Sequence, residues 1–370
     1  MPLNLAVYIR KVYTDFATHI YDVPPRMLAF LILLLFAVIP YTGIDLLMLG
    51  DILIPANIMA ILAVSWDLLV GRTGQISLGH AMFYGVGAYA TALLFKYFNW
   101  PVWITIPLSL LAGVGIALII GIPCLRMKGP YLALTTMAFP LAITGFLFYF
   151  RDIFGGEIGI GDIREYVDGK LVFRRFPKIF PGLKFHDRLI ADYYLSLTLM
   201  VISGIIIYKI ATSKTGIVFI SILDDELGSK ACGINVTKYK LMSFAISGLF
   251  GSLAGALCAH MLEGKANANF FHLSYSLTPV IVTILGGIGT IYGPLVGTYI
   301  YYILNKHIFL RVVPLDPTIQ LLLFVIVVVI MILRWPRGLA RAIVEKLEDL
   351  EEPREVEEIL KEKAKSEETI

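Results

Sequence analysis

The feature that most constrains this chain is the length of its apolar runs, which alternate with short charged connectors along most of the sequence. A soluble core is built from apolar runs of about 4–8 residues or from amphipathic helices. Here the runs reach about 20 residues, the length a helix needs to cross a hydrocarbon layer of roughly 30 Å. Composition agrees with the pattern. Charged residues are 16% of the 370 and mean hydropathy is +0.78, whereas a soluble domain of average make-up carries about 25% charged residues. The expected fold class is therefore all-α, a polytopic membrane protein with about ten transmembrane helices. The spans are placed at 27–48, 52–70, 76–96, 101–121, 131–150, 191–210, 241–262, 276–290, 293–310 and 318–334. The span at 276–290 is short and ends in Gly286-Gly287-Ile288-Gly289. It reads as a re-entrant or broken helix, which lipid tolerates only where protein or a cavity covers the backbone.

Three segments follow: 1–26, the membrane domain 27–334, and a charged tail 335–370. In the first, Leu5, Ile9, Val12, Phe16 and Ile20 recur at helical spacing. A helix lying on the membrane surface is preferred there over a disordered arm. Arg10 and Lys11 precede no apolar stretch of the kind a cleaved signal peptide requires. From Arg334 onward the chain carries eight Lys or Arg against eleven Asp or Glu, a net of −3. Such a segment reads as a solvated, partly frayed helix. Lys and Arg concentrate on the cytoplasmic side of membrane proteins. With ten spans, cytoplasmic termini place Arg10, Lys11, Arg26, Arg72, Arg126, Lys128 and the 209–240 connector on that side. The basic loop at about 151–190 is then external, and it is long enough for the charge rule to weaken.

Little in the sequence supports chemistry. There is no phosphate-cradling G-x-x-x-x-G-K-[ST] run and no G-x-S-x-G nucleophile turn. The six histidines are scattered. Cys124, Cys232 and Cys258 are isolated, without metal-like spacing or a disulfide framework. No enzyme activity, cofactor or metal is expected, and a net charge of +3 gives no reason to expect nucleic acid. Among acidic residues, Asp51 and Asp67 stand out. A carboxylate within a span is a transport candidate, although one near a span end more often faces water.

Two patterns concern packing and path. Ser247, Gly251, Gly255 and Ala259 fall four apart on one helical face, and Gly293 and Gly297 repeat the spacing. In lipid, small residues let helix backbones approach closely. These stripes read either as plain packing or as a sliding interface in transport. The segment Gly71-Arg72-Thr73-Gly74-Gln75-Ile76-Ser77-Leu78-Gly79-His80 is polar and glycine-rich, yet lies between apolar spans. Gln75, Ser77 and His80 supply donors and acceptors, and Gly79 permits close approach. One reading is a broken helix end of the kind that lines transport sites. The other is a turn in which Ser77 caps the next helix. The residues alone leave both open.

The run Gly74-Gln75-Ile76-Ser77-Leu78-Gly79-His80-Ala81-Met82-Phe83-Tyr84-Gly85-Val86-Gly87-Ala88-Tyr89 closely resembles the hallmark of the inner-membrane permeases of branched-chain amino-acid ABC transporters. Further blocks follow in the family's order: Tyr131 to Phe139, the glycine-rich turn Gly155 to Ile160, Leu285 to Pro294, and Pro336 to Leu339. In the 209–240 connector, Asp224-Asp225-Glu226 and Gly233 look like the cytoplasmic coupling loop of ABC importers. There the family places a glutamate, two alanines and a glycine. Gly228 and Ser229 stand at the alanine positions, and Leu223 stands where arginine is frequent. The resemblance implies a permease that hydrolyses nothing itself. It would pair with a related permease, two cytoplasmic ATPase subunits and an external substrate-binding protein, in the cell membrane. Alternatives are a related importer for urea, amides or aromatic acids, or a stand-alone secondary transporter.

Overall fold

The computed structural model describes residues 48–125, 127, 129–167, 170–174, 176–180, 182–305, 317–335 and 338–339. The expected surface helix at 1–26, the span at 27–48 short of its last residue, and nearly all of the tail lie outside them. Within them the architecture is all-α and polytopic. A π-helical turn, Leu49–Leu53, runs into α1 (Ile54–Thr73). After a non-helical segment come α2 (His80–Phe98), α3 (Val102–Cys124) and α4 (Pro130–Tyr149). The short α5 (Arg151–Phe154) leads to a hairpin of β1 (Ile163–Val167) and β2 (Lys170–Arg174), antiparallel with Val167 opposite Lys170. Then follow α6 (Phe185–Thr212), α7 (Lys214–Asp224), α8 (Glu226–Ala231) and α9 (Val236–Cys258). The last helices are α10 (Ser274–Gly286), α11 (Tyr292–Tyr302) and α12 (Pro317–Arg334).

Five helical stretches among the described residues are long and apolar enough to cross a membrane: Leu49–Thr73, Val102–Cys124, Pro130–Tyr149, Phe185–Thr212 and Val236–Glu263. Every expected span from 52–70 onward has a helical counterpart, with corrections at the ends. The third expected span, 76–96, is α2 and starts at His80, not 76, because residues 74–79 are drawn out of helical geometry by contacts described below. The sixth starts at Phe185, ahead of the expected 191. The expected break after the short span is real: α10 stops at Gly286 and α11 resumes at Tyr292. The long loop carries the hairpin, which the all-α expectation did not include.

Helix α1 is the centre. It is almost wholly buried, polar residues Asn57, Ser65 and Asp67 included. It packs against α6, α9, α10 and α11, while α9 also packs against α2 and α3. The small-residue stripe explains why α9 can sit between so many neighbours. At Gly251 an added methyl would stand 2.8 Å from Phe83 Cβ, and at Gly255 it would overlap the Tyr84 backbone. Gly297 likewise faces the Val282 carbonyl, and Gly293 the Gly287 carbonyl. These stripes are close helix contacts, where dispersion replaces the absent hydrophobic drive. By contrast α3, α4 and α6 turn large apolar side chains outward, among them Leu111, Ile119, Leu134, Leu141 and Ile205. Such a surface suits hydrocarbon rather than water.

Candidate functional site

The polar segment between α1 and α2 is pinned by Trp66 and by Thr136. Trp66 Nε1 donates to the Ser77 carbonyl at 2.8 Å, and the Leu78 N–H donates to Thr136 Oγ1 at 3.0 Å. A methyl group added at Gly79 would stand 2.6 Å from the Thr136 carbonyl oxygen. Ser77 does not cap α2: Gly79 is the N-cap residue, and Ser77 Oγ accepts from the Gly79 N–H at 3.2 Å within its own turn.

Gln75 and His80 turn inward toward α9. Gln75 Nε2 donates to Thr73 Oγ1 and Ser243 Oγ, both at 2.9 Å. Those hydroxyls direct their own protons to backbone carbonyls, Thr73 to Leu69 at 2.6 Å and Ser243 to Lys240 at 2.8 Å. The amide orientation follows from that: the nitrogen must face them. Gln75 Oε1 is left buried without a partner. His80 Nε2 lies 2.7 Å from Ser247 Oγ, which donates to the Ser65 carbonyl at 2.9 Å. Since a carbonyl only accepts, the proton between His80 and Ser247 belongs to Nε2. His80 Nδ1 is then a bare acceptor, buried and unpartnered.

Asp67 does not face water. It is fully buried, and both carboxylate oxygens are held by the break between α10 and α11. Oδ1 accepts from the Gly289 N–H at 2.6 Å and Oδ2 from the Ile291 N–H at 3.1 Å. An added methyl at Gly71 would stand 2.7 Å from Gly289 Cα. Gly338, from the exit after α12, reaches the Gly287 backbone. The blocks around Gly74, Thr136, Gly287 and Gly338 therefore meet at one end of the bundle. The Gly155–Ile160 turn sits at the far end of α2, where Lys96 Nζ donates to the Asp152 and Ile153 carbonyls at 3.1 and 2.9 Å. Ile160 there pairs with Ala266. Asp51 is exposed in the turn preceding α1.

The connector at 209–240 folds into two short helices at the same end as Gly74. Asp225 caps α8, its Oδ1 accepting from the Leu227 N–H at 2.9 Å. Gly233 ends α8 in the left-handed region, φ 81°. The Gly233 N–H bonds Lys230 and the Ile234 N–H bonds Ser229, the paired closure for which glycine is favoured. Glu226 binds Lys230 at 2.8 Å and Lys240, at the start of α9, at 2.7 Å. The hydrogen bonds from Lys230, then Lys240, hold its carboxyl down to about 2. The residues at the family's alanine positions are small for a local reason. Gly228 lies against the Asp225 carboxylate, and Ser229 is buried with its hydroxyl 2.7 Å from Ser221. Asp224 and Asp225 border a recess of about 400 Å³ between α7 and α8. Leu227 and Ile217 point outward, 70% and 66% exposed. The connector touches the polar segment directly: a methyl at Gly74 would stand 2.9 Å from Leu223 Cδ1.

Reading the sequence missed Thr136, Lys240 and Ser243 as partners. Lys240, Ser243 and Ser247 recur at i, i+3 and i+7, so helical spacing extended back from the small-residue stripe was the available signal.

Residues 48–333 match the family described as branched-chain amino acid transport system / permease component. The chain is 31% identical over 251 residues to the high-affinity branched-chain amino acid transport system permease protein LivM of Salmonella typhimurium. That match covers 65% of this chain and 59% of the relative. The LivM protein of Escherichia coli gives the same identity and coverage. The probable branched-chain amino acid transport permease protein LivH of Methanocaldococcus jannaschii is 24% identical over 260 residues, 69% of this chain and 78% of the relative. The chain thus spans about three-fifths of the length of the LivM relatives. No solved structure matches it. A family match over most of the chain, on a bundle of apolar helices, makes this a multi-pass membrane protein that belongs to the permease-component family of branched-chain amino acid transport systems.

Proposed function

We propose that this chain is the membrane-spanning permease subunit of an ATP-binding-cassette importer for branched-chain amino acids, with both termini cytoplasmic. It pairs with a related permease, receives substrate from an external binding protein, and works with two cytoplasmic ATPase subunits, its 209–240 connector being the element that docks on an ATPase subunit. The observation that carries the reading is α8: a single short helix, capped by Asp225 and closed by Gly233, presenting Leu227 outward beside an acidic recess. Such a projecting helix suits a coupling element. Its neighbour α7 abuts the Gly74–Gly79 segment, so motion of the connector has a short route into the bundle. Gln75, Ser77, Gly79, His80 and Asp67 are then supports of the translocation path. Apart from Gln75 Oε1 and His80 Nδ1, their polar groups bond to protein, and what they hold is the position of two non-helical segments. Alternating access is a switch between packed arrangements of such elements.

The test is reconstitution of the purified assembly in vesicles with radiolabelled leucine. The reading expects uptake that requires ATP and the binding protein and ignores an imposed ion gradient. Uptake driven by the gradient without ATP would instead show a secondary transporter. ATP-driven uptake of urea or an amide but not leucine would retain the importer and change its substrate.

A further inference from the structure

We infer that Lys240 is a positioning residue for coupling: through Glu226 it ties the connector helix α8 to the polar segment beside α1, so that displacement of α8 moves that segment. The inference rests on the docking role proposed for the connector. It differs from a role in which Glu226 greets the ATPase, because both Glu226 oxygens are already engaged inside this chain. Oε2 receives Lys240 Nζ at 2.7 Å and Oε1 receives Lys230 Nζ at 2.8 Å. The Lys240 side chain is only 13% exposed. The two ion pairs are unequal in what they connect. Lys230 lies four residues on from Glu226 in α8 itself and joins nothing else. Lys240 lies on α9, the helix packed against α1, α2 and α3.

From Lys240 the route is short. Its backbone carbonyl accepts from Ser243 Oγ at 2.8 Å and stands 3.4 Å from Gln75 Nε2. Ser243 Oγ in turn accepts from Gln75 Nε2 at 2.9 Å. Each contact links a different element: α8 to α9 by charge, and α9 to the Gln75 turn by the amide. The innermost link, Gln75 to Ser243, is buried, and hydrogen bonds in series strengthen one another, so displacement of one member is felt by the next. Without the ion pair, α8 retains its cap, its Gly233 closure and its outward Leu227, and keeps its ATPase-facing surface. What it loses is its charged tie to α9.

The test uses the assembled importer in vesicles, reading leucine transported per ATP hydrolysed, with bound ATPase subunits scored in the same preparation. Lys240→Met should keep its ATPase subunits and continue to hydrolyse ATP. Leucine moved per ATP should fall about fivefold or more, the low end for a coupling free energy of allosteric size. Lys230→Met should leave the ratio unchanged, and Lys240→Arg should preserve it. The charge exchange Glu226→Lys with Lys240→Glu, made in the Lys230→Met background, should restore most of it. Wild-type leucine per ATP in Lys240→Met would overturn the inference. So would loss of the ATPase subunits from that variant, which would make Lys240 a docking residue, or failure of the exchange to recover coupling. Leu227→Asp leaves the ion pair intact and reports on docking itself. If that variant keeps its ATPase subunits and full uptake, the docking role falls and the inference with it. ATPase loss there beside normal coupling in Lys240→Met would sink the inference alone.

Discussion

Asp67 Oδ2 accepts a hydrogen bond at 3.1 Å from the N–H of Ile291, a β-branched residue held at φ 65°. A branched side chain in that region is a genuine outlier; it costs on the order of 1–3 kcal/mol and persists only where its surroundings determine it. Here they do. The same carboxylate binds the Gly289 N–H, and the Ile291 side chain is buried. Asp67 is therefore the latch on the break between α10 and α11. Asp67→Ala orphans the buried Ile291 N–H, at a cost of about 1–3 kcal/mol, and the part-buried Gly289 N–H with it. It should lower the thermal midpoint in detergent markedly. Asp67→Asn keeps one accepting oxygen and should fall between alanine and wild type. Equal midpoints for all three would show that the break holds itself.

Gly79 offers a second, steric test. Even one methyl would stand 2.6 Å from the Thr136 carbonyl oxygen, a backbone atom that cannot rotate away. Overpacking of this kind costs about 1–3 kcal/mol. Gly79→Ala should insert normally and show reduced leucine uptake, and Gly79→Leu should show less still. Wild-type uptake by Gly79→Leu would reduce the segment to an ordinary turn.

The Glu226 ion pair predicts a defined response to acid. Its carboxyl is lowered from 4.5 to about 2 by the Lys230 and Lys240 bonds. A carboxyl lowered by folding adds stability that is fully present above its ordinary value and is lost as pH falls toward the folded one. Hydrogen-exchange protection of residues 226–233, corrected for intrinsic rate, should stay flat through neutral and mildly acidic pH. It should drop only between 4.5 and about 2. A drop centred near neutrality would mean that another group controls the helix.

Much of the bundle was legible because span length and small-residue spacing are local patterns. So were the two ends of α8: Glu226 in the first turn and Gly233 at the close follow from helix-end chemistry. What could not be read were contacts between residues far apart in the chain. Asp67 near a span end looked solvent-facing, since nothing local announces the Gly289 and Ile291 N–H groups that bury it. A cap at Ser77 stayed open as one of two readings because the pull of Trp66 and Thr136 on its segment is tertiary. The residues at the family's alanine positions could be seen to be small. That they are small because of Asp225 and Ser221 could not.

Orientation can be tested with an impermeant thiol reagent in intact cells, after removal of the native cysteines, Cys232 above all because it is exposed. Ser229 is buried and unsuitable as a reporter. Leu227→Cys on α8 should resist labelling and Glu157→Cys, in the exposed turn after α5, should accept it. The reverse pattern would invert the topology.

The central claim is that α8 meets an ATPase. A photo-crosslinking amino acid in place of Leu227, 70% exposed on that helix, tests it in the living membrane. The control position is Tyr149, 81% exposed at the other end of the bundle. The account predicts a covalent adduct between position 227 and a cytoplasmic ATPase subunit, and none from position 149. Adducts from 227 only to lipid or to another permease, or an ATPase adduct from 149 instead, would contradict it.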